Sequence, residues 1–254
     1  MPYPPSLAGA IRDAVGLDGR GRLLDVGCGP GSLTLLLAPL FETVVGVDAD
    51  RDMLAEAARR AGQHGVANVH WRQMRAEELP DGLGTFRVAT FAQSFHWMDR
   101  PVVARRVRTM LEPGGAWVHV GATTHQGVPG EDELPHPRPP WDRIDGLVAE
   151  YLGPARRAGQ GLLPTGLPDG EEQVMRQAGY TLSARADVGG GEVVDRGVDE
   201  IVAAVFSLSG SAPHLFADRL AAFEADLRRL LGQTCDGGRF SERRREMEIV
   251  VWRP

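Results

Sequence analysis

A short apolar run, Leu23-Leu24-Asp25-Val26, enters Gly27-Cys28-Gly29-Pro30-Gly31 and continues into the apolar stretch 32–41. A buried strand that turns through glycines into a helix is the opening unit of a parallel α/β sheet. The pattern then repeats. TVVGVD (43–48) reads as a second strand, with Asp50 as the N-cap of the next helix. Met53, Leu54, Ala57, Ala58 and Ala61 share one face of that helix, and Arg59 and Arg60 lie in its last turn. NVHWR (68–72) and VATFA (88–92) read as a third and a fourth strand. A helix over about 101–111 leads through the EPGG turn to a fifth strand, AWVHV (116–120).

After Gly121 the texture changes. Residues 123–170 are rich in proline, glycine and histidine, and contain one amphipathic helix marked by Trp141, Ile144, Leu147, Val148 and Tyr151. A helix at 171–178 stops at Gly179, TLSARADV (181–188) is strand-like, and two helices are expected near 198–208 and 214–231. EMEIVVW (246–252) reads as a final strand. The expected division is therefore a core at 1–122, an insertion at 123–170, a core helix and strand at 171–188, a helical insertion at 189–240 and a last core strand at 241–254.

Several function classes fall away on composition. All 28 Lys+Arg residues are arginine, so a Schiff-base lysine, a pyridoxal-phosphate anchor and a P-loop lysine are excluded. A net charge of -6 argues against sequence-independent binding to a phosphate backbone. The two cysteines, Cys28 and Cys235, have no metal-ligand spacing, so no metal is expected. No run approaches about 20 apolar residues, and the start MPYPPSLAGAIRDAVG lacks the pattern of a secretory signal. A cytoplasmic location and no membrane partner are expected.

The chemistry is carried by Asp25-Val26-Gly27-Cys28-Gly29-Pro30-Gly31. Glycines let the backbone approach a ligand closely, and a helix start offers unpaired N–H groups. Dinucleotide-binding folds use a similar device. Here, however, the spacing is GxGxG, Ser32 stands where a third glycine or alanine is usual, and Asp25 precedes the first glycine by two residues. A second acid, Asp48, ends the next strand, where a carboxylate can accept both hydroxyls of a ribose.

DVGCGPG, VVGVD, LEPGG and FAQSFHWMD together resemble the class I S-adenosylmethionine (SAM)-dependent methyltransferases. YPPSL, PPWDRIDGLVAEYLGPARRAG and EIVVWR extend the likeness to a bacterial small-molecule branch with a His-Trp pair after the fourth strand, similar to the trans-aconitate type. The resemblance implies a Rossmann-like α/β fold. Its seven-stranded sheet would be parallel with an antiparallel last strand, and a helical lid would be added to it. SAM would be the cofactor and S-adenosylhomocysteine the product.

Carried over position by position, Gly27, Cys28, Gly29 and Gly31 would form the turn around the methionine part of SAM, with Asp25 helping to hold its amino group. Asp48 would bind the ribose. Ala49 and Met53 would flank the adenine, Ala76 and Glu77 would border its other edge, and Ala92 and Gln93 would face the amino group and sulfonium. One departure stands out: Arg75 occupies the place of an acid that receives the adenine amine in many relatives, and arginine cannot accept.

The implied reaction is methyl transfer to a small molecule by in-line displacement, which needs positioning and exclusion of water more than a nucleophile. His96 and Trp97 would border the acceptor. His96 could remove an acceptor proton, but a positioning role is favoured. Trp141, Arg143, Arg156, Arg157 and His214 are lid candidates, of which Trp141 and Arg156 are further pocket candidates. The alternatives are a SAM-binding protein of the same fold that acts as a scaffold or in elimination or cyclisation, and a nicotinamide-dependent oxidoreductase. The spacing of the glycine turn weighs against the latter.

Overall fold

The computed structural model describes residues 3–79, 81–121, 123, 125–153, 157–158, 161–162 and 170–254. The chain divides into two compact units. A sheet unit holds 2–122, 168–188 and 247–254; a helical unit holds 123–167 and 189–246, together with Met1.

The sheet unit is built on β1 (Arg22–Val26), β2 (Thr43–Asp48), β3 (Val69–Gln73), β4 (Phe86–Ala92), β5 (Leu111–Gly121), β6 (Thr181–Val188) and a last strand, β9 (Met247–Arg253). Their order across the sheet is β3-β2-β1-β4-β5-β9-β6. β1 to β5 pair in parallel, and β9 runs antiparallel to both β5 and β6. This is the expected seven-stranded arrangement. Strands such as β1 and β2 are near-continuous apolar runs because helices cover both faces of a parallel sheet.

One face packs Leu24, Val26, Phe86, Phe91, Trp117 and Trp252 against α4 (Arg100–Met110) and α6 (Glu171–Gln177). The other packs Leu23, Val44, Val118 and Val251 against α1 (Pro5–Val15) and α2 (Ser32–Leu37). α3 (Arg51–Gln63) buries Leu54, Ala57 and Ala61, and its N-cap is Asp50, whose side chain accepts from the N–H groups of Asp52 and Met53. Strand order reverses between β1 and β4, and ligands of such sheets bind outside the carboxyl ends of the strands at that switch point.

The helical unit has its own core. Ile144 of α5 (Trp141–Leu152) joins Ile201, Val202 and Val205 of α7 (Val198–Phe206) and Phe223, Leu227 and Leu231 of α8 (Leu220–Thr234). A ribbon of β7 (Val193–Gly197) and β8 (Arg239–Arg243) completes it.

Three expectations are corrected. The stretch 241–246 is not core strand: part of it pairs with β7, and the core strand starts at Met247. The helix expected over 214–231 starts at Leu220, because Pro213–Arg219 is a tighter helical stretch broken at Ala217, whose φ is 48°. α1 was not anticipated, although Leu7, Ile11 and Val15 recur every fourth residue between Pro5 and Gly16. Among the described residues, no helix is long and apolar enough to cross a membrane.

Candidate active site

The glycine turn is fastened to the end of β2: the N–H groups of Gly27 and Cys28 both donate to Val47 O, at 2.8 and 3.0 Å. Its glycines do different things. Gly27 has φ 68°, and a Cβ there would lie 2.5 Å from the Cβ of Ser94, so only glycine lets the turn pass so close to the end of β4. Ser94 in turn donates its hydroxyl to Val26 O at 2.6 Å, locking the ends of β1 and β4 together. Gly29 has φ 52°, but a Cβ there would meet nothing within 4 Å. The open side of the turn is therefore at Gly29. Gly31 packs under the ring of Trp71 and against Ala57. Cys28 is buried beside this turn, and burial first, then the nearby carboxylates of Asp25 and Asp48, push its thiol up, keeping it neutral.

Asp48, half-buried at the end of β2, accepts from Gly29 N at 2.8 Å on Oδ2 and from Asp50 N at 2.9 Å on Oδ1. Burial pushes its carboxyl upward, while the backbone donors from Asp50 and Gly29 work against that shift. A carboxylate offers about four acceptor positions, so Asp48 keeps capacity for a further donor.

Asp25 is placed differently from its expected role at the amino group of a ligand. It is 1% exposed, and its two oxygens accept from the hydroxyls of Thr34, at 2.5 Å, and Thr90, at 2.8 Å. It braces β1 against α2 and β4 from inside. Burial pushes its carboxyl up to about 6, against the pull of the two hydroxyls. A carboxyl raised above its unfolded value favours folding below that value, and this contribution is lost as pH rises through about 6. Between pH 4 and 7, wild type should therefore lose up to about 3 kcal/mol relative to Asp25→Asn. Urea unfolding of both proteins at the two pH values checks this; an unchanging difference would remove the titration of Asp25 from the account.

Around this centre the other expected residues distribute unevenly. Ala49 is exposed and Met53 half-buried at the start of α3. Ala76 is buried, and Glu77 accepts from Asp99 N at 2.7 Å and lies 3.5 Å from Arg75. Burial opposes the charge of Glu77, but these donors outweigh it and hold the carboxyl below its usual range. Glu77 thus ties the start of α4 to the segment after β3. Ala92 is half-buried at the end of β4, and the exposed Gln93 has φ 53°, a left-handed conformation uncommon for a side-chain-bearing residue outside functional turns.

His96 and Trp97 follow in a single helical turn, their rings 4.5 Å apart, with Trp97 39% exposed. His96 is half-buried; burial lowers its pKa, Glu171 pulls it back up and Arg100 adds to the lowering. Two residues not flagged from sequence stand near this turn. His119, 7% exposed, packs against Phe95 and lies with Nδ1 2.8 Å from Glu171 Oε1. Trp141 belongs to the helical unit, where its indole N–H is donated to Glu242 at 2.7 Å, and Arg156 lies outside the described residues. Among the described residues no group of His, Cys, Asp and Glu could hold a metal.

Residues 23–115, which carry the turn, Asp48 and the four strands around them, match the protein family described as "Methyltransferase domain". An uncharacterized methyltransferase of Bacillus subtilis, YcgJ, is 33% identical over 100 residues, 39% of this chain and 40% of that protein. A ubiquinone biosynthesis O-methyltransferase of Acinetobacter baumannii is 35% identical over 104 residues, 40% of this chain and 44% of that protein. The chain thus spans under half the length of these curated relatives. Among solved structures, the [4+2]-cyclase SpnF aligns with a TM-score of 0.55 at 21% identity, covering 98% of this chain and 80% of that one. The crystal structure of YcgJ aligns with a TM-score of 0.52 at 22% identity, covering 96% of both chains. Both share the fold of the methyltransferase domain.

Proposed function

We propose that the chain transfers a methyl group from SAM to a small-molecule acceptor. The observation that carries this reading is Asp48, bound to the one N–H of the glycine turn whose residue faces open space. That pairing fits a ligand with a diol next to a group that runs along backbone. When bound, SAM supplies a methyl group already activated on a cationic sulfur.

In this reading Asp48 accepts the ribose hydroxyls, Ala49 and Met53 flank the adenine, and Ala76 and Glu77 border its far edge. Gly27, Gly29 and Gly31 shape the turn along the methionine part, with Cys28 filling the space beneath it. Ala92 and the strained Gln93 face the amino group. His96 and Trp97 orient the acceptor and keep water from it. The likeness to a ubiquinone biosynthesis O-methyltransferase supports a small acceptor.

Mass spectrometry of the purified protein should find SAM or S-adenosylhomocysteine bound, and incubation with labelled SAM and a panel of small acceptors should yield a labelled product. Failure to bind SAM sinks the proposal. Binding without any transfer would favour the second reading, a SAM-binding protein with other chemistry, which the fold likeness to a cyclase keeps in view.

His96→Gln should lower the rate by a modest factor, about 10-fold or less, and leave the pH profile of transfer unchanged, because positioning is what the residue contributes. A loss of about 10²–10⁴-fold with the acidic limb of the profile abolished would make His96 a general base instead.

A further inference from the structure

The glycine turn rests on a row of residues that crosses the sheet. Thr90, Asp25, Gly46 and Trp71 are register neighbours on β4, β1, β2 and β3, so their side-chain positions share one face. Asp25 and Thr90 fill their part of the row together with the hydroxyl of Thr34 on α2. Gly46 leaves its part empty, and the half-buried indole of Trp71 occupies it. A Cβ at Gly46 would lie 2.5 Å from Trp71 Cζ3 and 2.6 Å from Cε3, so any other side chain there would evict the ring.

The indole therefore reaches from the edge strand β3 across β2 to the turn. A Cβ at Gly31 would lie 2.9 Å from Trp71 Cη2 and 3.2 Å from the Cβ of Ala57 on α3. The two limbs of the turn are held differently. On the first limb, Gly27 and Cys28 donate to Val47 O, and Gly29 donates to Asp48. On the second, Pro30 has no N–H, and Gly31 N donates to Cys28 O at 3.1 Å, inside the turn itself. Among the described residues no hydrogen bond ties Pro30 or Gly31 to a strand. Contact with Trp71 and Ala57 is what locates that limb.

We propose that Trp71 is a positioning residue for the cofactor, its indole holding the Pro30–Gly31 limb in the shape that receives the methionine part of SAM, an assignment that rests on the SAM reading of the site. A loop already fixed in its bound shape spares the ligand the cost of ordering it. Loss of the ring should therefore be felt by the methionine half of the ligand. The adenosine half meets Asp48, which is held by backbone donors of Gly29 and Asp50 and not by the ring.

Titration calorimetry on the full chain tests this with S-adenosylhomocysteine and with methylthioadenosine, which lacks the amino-acid part. Trp71→Leu should weaken S-adenosylhomocysteine by about 10-fold and methylthioadenosine by about 2-fold or less. Trp71→Phe keeps a shorter ring over Gly46 and should show the same selective loss at smaller size; it decides the matter if circular dichroism finds the leucine variant unfolded. A general loosening of the fold would weaken both ligands alike. Equal weakening of both in a folded variant, or no weakening of either, overturns the assignment. So does a wild type that binds S-adenosylhomocysteine but not methylthioadenosine, because the two halves of the site would then not be separable. A wild type that binds neither ligand overturns the SAM reading itself, and the assignment with it.

Discussion

Arg196→Met should destabilise the helical unit by about 3–5 kcal/mol, the cost of leaving a buried charge without its partner. Arg196 and Glu242 are each 3% exposed at the side chain and 2.9 Å apart. Arg196 also donates to His125 O at 2.8 Å and to Glu200 O at 3.0 Å, so its loss orphans two carbonyls as well. Methionine fills much of the volume but supplies no donor. The carboxylate of Glu242 would retain only Gly127 N and the Trp141 indole. Urea unfolding followed by tryptophan fluorescence should show the loss. The double variant Arg196→Met/Glu242→Leu should recover much of it, because well-packed apolar pairs often replace buried ion pairs at little cost. A single-variant loss below about 1 kcal/mol would mean that water reaches the pair, contrary to its burial.

Asp48→Ala should weaken SAM binding by about 10- to 100-fold while the protein stays folded. Two ribose hydroxyls would lose a charged acceptor, a loss of about 1.5–3 kcal/mol in all. The substitution also frees the N–H groups of Gly29 and Asp50, loosening the turn that the ligand must meet. Titration calorimetry with SAM reads the affinity, and circular dichroism checks the fold. Asp48→Asn separates the effects: its amide oxygen can keep one backbone donor but carries no charge. Unchanged affinity in a folded Asp48→Ala protein would take Asp48 out of the cofactor site.

The sheet was legible because its signals are local. TVVGVD and TLSARADV are continuous strands bounded by turn residues, and both occur at the expected positions. Asp50 was readable as a cap because capping needs only the next three residues. The ribbon β7–β8 escaped because its buried positions include Arg196 and Glu242, charges that a pattern of apolar residues reads as surface. In the candidate site, the glycines and Asp48 stand out by spacing. Ser94, Thr34 and Thr90 do not, because their roles depend on partners elsewhere in the fold: Thr90 meets Asp25 across 65 positions. The same distance effect misled the reading of Asp25, whose strand-end position was plain but whose two hydroxyl partners were not. His119 and Glu171 meet only because the chain leaves the sheet and returns to it.

That return has a consequence for how the sheet is made. β9 lies between β5 and β6, yet it is the last of these seven strands to be synthesised. Until it arrives, β5 presents an open parallel-sheet edge, and β6 has no strand to pair with. Residues 123–167 and 189–246 of the helical unit are synthesised during that wait. An unpaired strand edge is a template for other chains, and long-range pairing forms slowly because a large loop must close first. The helical unit has a core of its own, and its collapse before that step would shorten the span to be closed. Closure by the final strand is therefore the step at which crowding or high expression would divert the nascent protein into aggregates.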